Sequence, residues 1–211
     1  MVSVLILTRD EEFNLPGCLD SLKWCDDVVV FDSFSTDRSL DIATDSGARV
    51  IQRAFDNYGA QRSAALNEVN YRHPWVLMVD ADERVTSELV QEIEEKLKHP
   101  ESGITLYRMR RKDYLMGRWL RHSSGYPTWF GRLMRVGRVR IERTINEEYH
   151  TDGKVGFLQT HLIHYPFNKG FSAWLEKHNR YSTMEAALID KQDRKTHRLS
   201  DIWHRDPTVR R

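Results

Sequence analysis

Cysteine is scarce in this chain of 211 residues, which contains only Cys18 and Cys25. Their spacing of seven positions matches neither a disulfide framework nor a metal-binding cysteine motif, so neither kind of site is predicted. We expect two reduced thiols in the core, which is typical of a protein from the cytoplasm.

Long apolar runs are also missing, since no stretch of the sequence reaches the ~18 apolar residues of a membrane span. The first residues, "MVSVLILTRDEE", have no basic region and no small-residue cleavage site, so we expect no signal peptide. The sequence has no internal repeat and no low-complexity segment. With 40% hydrophobic and 30% charged residues, the composition predicts one globular core.

The net charge of +1 hides a division along the chain. Residues 1–106 carry 10 Lys and Arg against 20 Asp and Glu, whereas residues 107–143 carry 11 against 2. Residues 191–211 carry 7 against 3. This asymmetry predicts that the two basic segments face an anionic partner or surface, and the alternative is a solvated basic face.

Apolar strands and amphipathic helices alternate along the first hundred residues. Continuous apolar runs predict buried strands at 2–7, 28–31, 48–52 and 75–80. Apolar spacing predicts helices over 15–22 and 60–69. Capping residues predict two more: one from Asp37 to Gly47, with Ser35 or Thr36 as its cap, and one that begins after the cap Thr86. Beyond residue 100 we expect strands at 103–111 and 132–142, a loop at 113–131 and a helix over 171–189. The alternation is typical of an α/β parallel sheet with helices on both faces.

Acidic clusters follow three of the predicted strands, at 8–12, 32–37 and 80–83. The carboxyl ends of strands in an open parallel sheet form the ligand-binding edge, where these clusters would repel one another without a cation. Carboxylate oxygens suit Mg²⁺ or Mn²⁺, which commonly bridge to substrate phosphates. The sequence therefore predicts a divalent metal with a phosphate-bearing ligand. The alternative for "DADE" (80–83) is a solvated turn that starts a helix.

Ordered motifs in the first hundred residues resemble those of the family 2 glycosyltransferases. They are "LTRDEEFNLPGCLDSLKWCDDVVVFDSFSTDRSLDIATDSGARVI", "YGAQRSAALN" and "WVLMVDADERV". The resemblance covers about residues 1–190 and is strongest to the subgroup that acts in lipopolysaccharide-core and polysaccharide synthesis. It implies a GT-A fold, which is α/β with a mainly parallel sheet flanked by helices and a C-terminal helical extension. The implied regions are one domain over 1–190 (nucleotide-sugar half 1–100, acceptor half 101–170, packing helix 171–190) and a basic tail over 191–211.

The resemblance also implies a nucleotide-sugar donor, normally a uridine one, and inverting transfer to a hydroxyl. The implied donor-binding residues are Thr8, Arg9, Glu11, Asp32, Asp37, Gln61, Arg62 and Asp80, with Glu12 nearby. Asp32 would contact the base, Arg62 the phosphates, and Asp80 the ribose or the metal. The alternatives are a helix cap for Asp37 and a solvated helix face for Gln61 and Arg62.

The metal ligands implied by the resemblance are Asp82 and Asp80, and His164 is an added candidate. A packed core histidine is the alternative for His164, and imidazole suits Mn²⁺ better than Mg²⁺. Glu83 would support the metal site or start a helix. The metal would stabilise the diphosphate leaving group.

The general base implied by the resemblance is Glu147, in "INEEYHTDGKVGFLQTHLIHY". Glu148 and then Asp113 are the next candidates, and the alternative for Glu147 is a surface position. Asn146 replaces a usual histidine. Asp10 likewise replaces a usual asparagine, and Phe34 replaces a usual glycine, which predicts a φ that a bulky residue tolerates.

The expected partner besides the donor is an anionic glycolipid or polysaccharide acceptor, since the segment 118–133 mixes Arg with Trp and Tyr. Peripheral contact with the inner face of the cytoplasmic membrane is expected through 107–143 and 191–211. Nucleic acid is not expected, because the acidic half would repel a polyanion. Two other functions stay open. One is a non-catalytic nucleotide-sugar-binding protein. The other is a nucleotidyltransferase, although the segment "TRDEEFNLPG" after the first strand lacks the glycine-rich phosphate loop of that class.

Overall fold

A computed structural model describes residues 2–99, 101–122, 126–142 and 147–191. The chain divides into two compact units, Met1–Gly170 and Phe171–Arg211. The predicted boundary at residue 190 stays a prediction. Apart from Lys191, the predicted tail over 191–211 lies outside the described residues, as does Asn146. No helix in the described ranges combines the length and the apolarity needed to cross a bilayer.

The first unit alternates strands and helices and then continues mostly as strands. Its first half contains β1 (Ser3–Thr8), α1 (Leu15–Asp20), β2 (Val28–Asp32), α2 (Ser39–Asp45), β3 (Arg49–Gln52), α3 (Tyr58–Glu68), β4 (Trp75–Asp80), β5 (Glu83–Arg84) and α4 (Ser87–Lys98). Its second half contains β6 (Ile104–Leu115), β7 (Arg118–Trp119), β8 (Trp129–Arg135), β9 (Val139–Glu142), β10 (Glu148–Thr151) and β11 (Lys154–His164). Helix α5 (Phe171–Lys191) belongs to the second unit.

The main sheet has the strand order β3-β2-β1-β4-β8-β6-β11-β5, with β7 paired to β6. The strands β3, β2, β1, β4, β6 and β11 run in one direction, and β8 and β5 run against them. The strands β9 and β10 form a separate antiparallel ribbon. The predicted α/β architecture with a mainly parallel sheet is therefore confirmed.

Both faces of the sheet are covered, because the central strands are apolar on both sides. One face holds Ile6, Val30 and Val79 in a core with residues of α1, α2 and α4. The other face holds Leu5 and Met78 with residues of α3. This two-sided burial explains the continuous apolar runs of the sequence, which leave no polar stripe on these strands.

Some predicted elements differ from the structure. Helix α2 begins at Ser39 instead of Asp37, and its N-cap is Arg38 without a side-chain cap. The predicted strand over 132–142 is interrupted by a turn at Gly137, where φ is 74°. The strands β10 and β11 were not predicted as strands, and β6 extends four residues past the predicted end into the expected loop.

Candidate active site

The carboxyl ends of the parallel strands meet at one edge of the sheet, as the sequence predicts. Thr8 pairs with Asp32 at the ends of β1 and β2, and Leu7 pairs with Asp80 at the end of β4. Farther along the same edge, His164 at the end of β11 pairs with Asp113 of β6. The sheet thus brings together side chains that are far apart in sequence.

Two loops at this edge, residues 9–14 after β1 and residues 33–38 after β2, are joined by hydrogen bonds. Backbone N–H groups of the first loop donate to side chains of the second loop and of α2: Asp10 to Ser35 Oγ (2.8 Å), Glu11 to Ser39 Oγ (2.8 Å) and Glu12 to Asp37 Oδ2 (3.0 Å). The Thr36 N–H donates back to Asp10 Oδ1 at 2.8 Å. The side chains expected to cap α2 therefore join the loops instead, although Asp37 Oδ1 still accepts from the Ser39 N–H at 2.9 Å.

Each of these loops contains a residue in the left-handed region. Asp10 has φ 54° and Phe34 has φ 56°. An aspartate adopts this region comparatively often, whereas a bulky aromatic residue is strained there. The prediction that Phe34 has a φ tolerated by bulky residues is therefore wrong. The Phe34 side chain is exposed.

Asp32 lies fully buried beneath the loops, with 0% exposure. Its oxygens accept hydrogen bonds from Thr8 Oγ1 (3.2 Å), from Gln52 Nε2 (3.2 Å), and from both the N–H (2.9 Å) and the hydroxyl of Ser35. The carboxylate therefore holds the two loops on the strand ends. Its contact with a base stays a prediction, which requires one of these donors to move aside.

Gln61 is buried (3% exposed) at the start of α3. Its amide donates to Ser33 Oγ at 2.9 Å and accepts from Arg53 at 2.6 Å. The alternative of a solvated helix face is therefore wrong for Gln61, which ties α3 to the loop after β2. Arg9, in contrast, is largely exposed, and its guanidinium lies 6.0 Å from the centre of the Phe55 ring.

Glu11 is paired with a residue that sequence reasoning missed. Lys169 Nζ lies 2.6 Å from Glu11 Oε1, and Asn14 donates to the other oxygen at 2.9 Å. Burial raises the pKa of Glu11, and the nearby charge of Asp82 raises it further. The contacts with Lys169 and Asn14 lower this pKa but do not cancel the increase. The pair links the turn after β11 to the loop after β1.

Deeper at the edge, Asp80 is held between two arginines. Arg62 Nη2 lies 2.7 Å from one carboxylate oxygen, and Arg132 Nη2 lies 2.8 Å from the other. Burial would raise the pKa of Asp80, but the two guanidinium groups hold it well below its usual range. Arg62 Nε also lies 3.3 Å from Glu147 Oε1, and both side chains are mostly buried. The solvated-face alternative is therefore wrong for Arg62 as well, and the surface alternative is wrong for Glu147.

Glu83 continues this series of contacts. Its Oε1 lies 2.7 Å from Arg132 Nη2, and its Oε2 accepts the Asp80 N–H at 2.9 Å. Arg111 lies 3.7 Å from Glu83 and 3.6 Å from Asp113. Because Glu83 is buried in β5 and α4 begins only at Ser87, the alternative that Glu83 starts a helix is wrong.

His164 lies between two carboxylates at the end of the series. Its Nδ1 is 2.7 Å from Asp113 Oδ1, and its Nε2 is 3.2 Å from Asp82 Oδ2. Burial lowers the pKa of His164, but Asp82 and Asp113 outweigh it and raise the pKa to about 9. The Tyr165 N–H fixes the Asp82 backbone through a 2.8 Å hydrogen bond. His164 is buried, yet both ring nitrogens face polar partners.

These contacts form one continuous series, which we call the ion-pair chain. Its members in spatial order are Glu147, Arg62, Asp80, Arg132, Glu83, Arg111, Asp113, His164 and Asp82. Three arginines face five carboxylates, which leaves a net charge of −1 with His164 protonated, as its raised pKa indicates, and of −2 if a metal replaces its proton. A buried excess of negative charge favours a divalent cation at this edge.

The donor atoms of Asp82 and His164 fit one metal ion. Neighbouring ligands at ~2.1 Å in an octahedral shell lie about 3 Å apart, close to the 3.2 Å between these two atoms. Asp113 occupies Nδ1, so Nε2 is the nitrogen that a metal would bind. No group of three or more His, Cys, Asp and Glu in the described ranges could hold a metal alone, so a ligand or water must complete the shell. Asp80 has both oxygens on arginines, and its role as a metal ligand stays a prediction.

Sequence reasoning missed Arg132 and Arg111, and it considered Asp113 only as a distant candidate for the base. Arg132 is only 4% exposed within the apolar segment "WFGRLM" of β8. A charged residue in a buried strand almost always has a partner, and this was the available signal.

Comparison with known proteins places these residues in a family. Residues 3–158 match the family model "Glycosyl transferase family 2". The lipopolysaccharide core biosynthesis glycosyltransferase LpsC of Rhizobium meliloti (strain 1021) is 29% identical over 194 residues, covering 88% of this chain and 70% of LpsC. An uncharacterized glycosyltransferase of Rickettsia bellii (strain RML369-C) is 37% identical over 94 residues, covering 44% of this chain and 31% of that protein.

Among solved structures, similarity extends to glucosyl-3-phosphoglycerate synthase from Mycobacterium tuberculosis in complex with Mn²⁺, UDP and glucosyl-3-phosphoglycerate. The identity is 25% and the TM-score 0.44, over 53% of this chain and 44% of that chain. S. aureus TarS 1-349 has 25% identity and a TM-score of 0.46, over 56% of this chain and 37% of that chain. This chain thus spans less than half of each solved chain. Since the family model matches most of its residues, the chain belongs to glycosyl transferase family 2 and has the GT-A fold.

Proposed function

We propose that this chain is an inverting, metal-dependent glycosyltransferase. It transfers a sugar from a uridine diphosphate sugar to a hydroxyl of a glycolipid or polysaccharide precursor. The observation that carries the proposal is the ion-pair chain, which ends in the facing donor atoms of Asp82 and His164 at the ligand-binding edge of the sheet. The similarity to LpsC supports an acceptor from lipopolysaccharide synthesis.

Asp82 and His164 would hold the metal, which is Mn²⁺ or Mg²⁺. The mixed oxygen and nitrogen donors favour Mn²⁺. When bound, the ion stabilises negative charge on the diphosphate leaving group. Asp113 positions His164 by accepting a hydrogen bond from Nδ1, and Arg111 in turn lies 3.6 Å from Asp113. The protein therefore preorganises the two ligands before the donor arrives.

Arg62 is proposed as a donor-phosphate contact. Its guanidinium lies between Asp80 and Glu147, so it can exchange one carboxylate for a phosphate oxygen without leaving the site. Guanidinium groups bind phosphate with directed hydrogen bonds. Arg132 would then remain on Asp80 and keep that carboxylate in place.

Glu147 is proposed as the general base. It takes the proton of the acceptor hydroxyl while that oxygen bonds to the anomeric carbon and the bond from this carbon to the diphosphate breaks. Glu148 is half-exposed and lies 3.7 Å from His150, away from the ion-pair chain. Asp113 is engaged by His164 and Arg111. These contacts favour Glu147 over the two other candidates.

The remaining donor residues divide into direct contacts and residues that shape the pocket. Arg9 and Glu11 lie on the loop after β1, where we propose that they contact the nucleotide directly, with Lys169 balancing Glu11. Thr8, Asp32, Asp37 and Gln61 are proposed to shape the same pocket from beneath, through the hydrogen bonds that join the loops. Peripheral membrane contact through 107–143 and 191–211 stays a prediction.

A calorimetric titration of UDP, with and without Mn²⁺, tests the proposal on the wild type and on Asp82→Ala. GDP and CMP serve as nucleotide controls, and Asp45→Ala, at an exposed position of α2, is the matched variant. We expect UDP binding that requires Mn²⁺ and is lost only in Asp82→Ala. UDP binding that ignores both the metal and Asp82 would overturn the metal site, and no nucleotide binding would overturn the function.

A further inference from the structure

A second group of basic side chains lies on the opposite side of β6 from the ion-pair chain. Side chains alternate along a strand, so Arg111 and Asp113 face the ion-pair chain while Arg110 and Lys112 face the other way. Arg110 and Lys112 together with Arg121, Trp119 and Tyr126 make up what we call the basic–aromatic face. These residues come from β6, β7 and the segment that leads into β8.

The cations of the basic–aromatic face lie against aromatic rings. Lys112 Nζ is 4.2 Å from the centre of the Trp119 ring, and the Arg121 guanidinium is 5.1 Å from the same ring. The Arg110 guanidinium is 4.8 Å from the Trp129 ring and 5.9 Å from the Tyr126 ring. Trp119 and Tyr126 pack edge to face at 5.1 Å. Cation–π contacts of this kind hold the side chains in place and leave the positive charge without an anion.

No carboxylate in the described part of the chain lies within 4.0 Å of Arg110, Lys112 or Arg121. Burial, together with the charges of Arg110 and Arg121, lowers the pKa of Lys112. The same surroundings act on His161, whose pKa is lowered by burial and then by Lys112 and Arg110, against the weaker effect of Glu88. The positive charges are therefore crowded and uncompensated.

Two donors within the face also lack acceptors. Among the described residues, Trp119 Nε1 and Arg110 Nε are buried and make no hydrogen bond. Buried donors without acceptors are rare in proteins, and they commonly mark a place where a bound water, ion or ligand accepts the hydrogen bond. Uncompensated cations and unpaired donors on one surface both favour a ligand with negatively charged oxygens.

The aromatic rings narrow the chemistry of this ligand. Trp119 and Tyr126 are half-buried, and aromatic rings of this kind are surfaces on which the apolar face of a sugar ring packs. An inorganic anion alone would not use them. An acidic sugar uses both parts of the face at once, because its ring lies on the aromatic surface while its phosphate or carboxylate meets the cations.

The face and the ion-pair chain lie on opposite sides of the same strand β6, so a saccharide held by the face reaches Glu147 only by extending past the end of this strand. Lys112 is the direct neighbour of Asp113, which is hydrogen-bonded to His164 of the ion-pair chain. We propose that the basic–aromatic face binds an acidic saccharide, one that carries phosphate or carboxylate groups, as the acceptor of the transfer. Its role as the acceptor site rests on the proposed function, whereas the binding of an acidic saccharide does not.

The test uses tri-galacturonic acid as the acidic probe and maltotriose as the neutral one, both measured by calorimetry on the full chain. The double variant Lys112→Gln/Arg121→Gln removes two cations of the face. Lys23→Gln/Lys98→Gln removes the same charge from two exposed positions outside it. We expect the wild type to prefer the acidic probe, the first variant to lose at least tenfold in affinity, and the second less than twofold. UDP titration and thermal unfolding of both variants check that the donor site and the fold are intact.

Equal affinity for the two probes, or equal losses in the two double variants, would overturn the acidic-saccharide site. Vesicles of phosphatidylglycerol form a separate arm. If they bind through Lys112 and Arg121 while the saccharide does not, the face is a membrane contact and the proposal is wrong. If the acidic probe binds as expected but the wild type binds no UDP, the saccharide site stands and both its acceptor role and the proposed function fail.

Discussion

The ion-pair chain and the basic–aromatic face both contain cations, but only the cations of the ion-pair chain have carboxylate partners among the described residues. In the ion-pair chain each arginine lies within 4.0 Å of a carboxylate, as Arg132 does with Asp80 and Glu83. In the basic–aromatic face the cations of Arg110, Lys112 and Arg121 lie against aromatic rings, and Arg110 also donates a hydrogen bond to the Gln159 carbonyl. A buried cation with carboxylate partners positions those partners. A cation stacked on a ring keeps its charge available for a ligand.

The comparison predicts that the ion-pair chain acts on kcat and that the basic–aromatic face acts on the KM of the acceptor. The effect on kcat is the largest that we expect. Glu147→Gln should lower kcat by about 10²–10⁴, or roughly 3–5.5 kcal/mol of barrier, because the acceptor hydroxyl loses its base. Lys112→Gln should instead raise the KM for an acidic acceptor and leave kcat unchanged. Steady-state measurement of UDP release gives both parameters.

Glu148→Gln is the matched control, since Glu148 is the neighbouring residue and lies outside the ion-pair chain. A kcat that stays at the wild-type value in Glu147→Gln would remove Glu147 from catalysis. If all variants bound UDP and none turned over, the chain would be a non-catalytic nucleotide-sugar-binding protein.

Stability provides the next test of the comparison. Arg132→Met should cost about 3–5 kcal/mol of the free energy of unfolding, because Asp80 and Glu83 keep their buried charges and lose their shared partner. Arg121→Met, at an exposed position, should change it by at most about 0.5 kcal/mol. Urea denaturation measures both values, and equal losses would show that the pairing of Arg132 carries no special stability.

The smallest expected effect concerns pH and His161. Burial, Lys112 and Arg110 lower the pKa of His161 in the folded protein, so the unfolded chain binds the proton more readily. The stability that neutral His161 contributes should therefore be fully present above the unfolded pKa of about 6.5 and should be lost as the pH drops below it. Denaturation midpoints of the wild type and His161→Gln between pH 8 and pH 5 measure this difference.

The two proteins should differ in slope only below pH 6.5, and replacement of Glu88 by Gln should steepen the loss, since Glu88 opposes the shift. Parallel curves for the wild type and His161→Gln would show that the cations of the face do not act on His161. The comparison between the two groups of cations would then lose its electrostatic basis.

Sequence reasoning succeeded where a local pattern was sufficient. Apolar runs and helical spacing predicted the strands and helices of the first hundred residues, because both faces of the central sheet are buried. These patterns did not predict β10 and β11, whose residues alternate in burial instead of forming a continuous apolar run. The segment was interpreted only through Glu147 and His164. The start of α2 was also misplaced, because the capping side chains bond across to another loop.

By itself the sequence determined the family motifs, the α/β alternation, and the placement of Asp32, Asp80 and Asp82 at or just beyond strand ends. These features depend on residues that are only a few positions apart, so the amino-acid sequence specifies them without the tertiary structure. Only the tertiary structure decided which charges meet. Arg132 reaches Asp80 across 52 positions, and His164 reaches Asp113 across 51. The sheet order sets such partners, because it brings together strand ends that are far apart in the chain. A buried charge is stable only with a partner, so the pairing at this edge is a property of the tertiary structure.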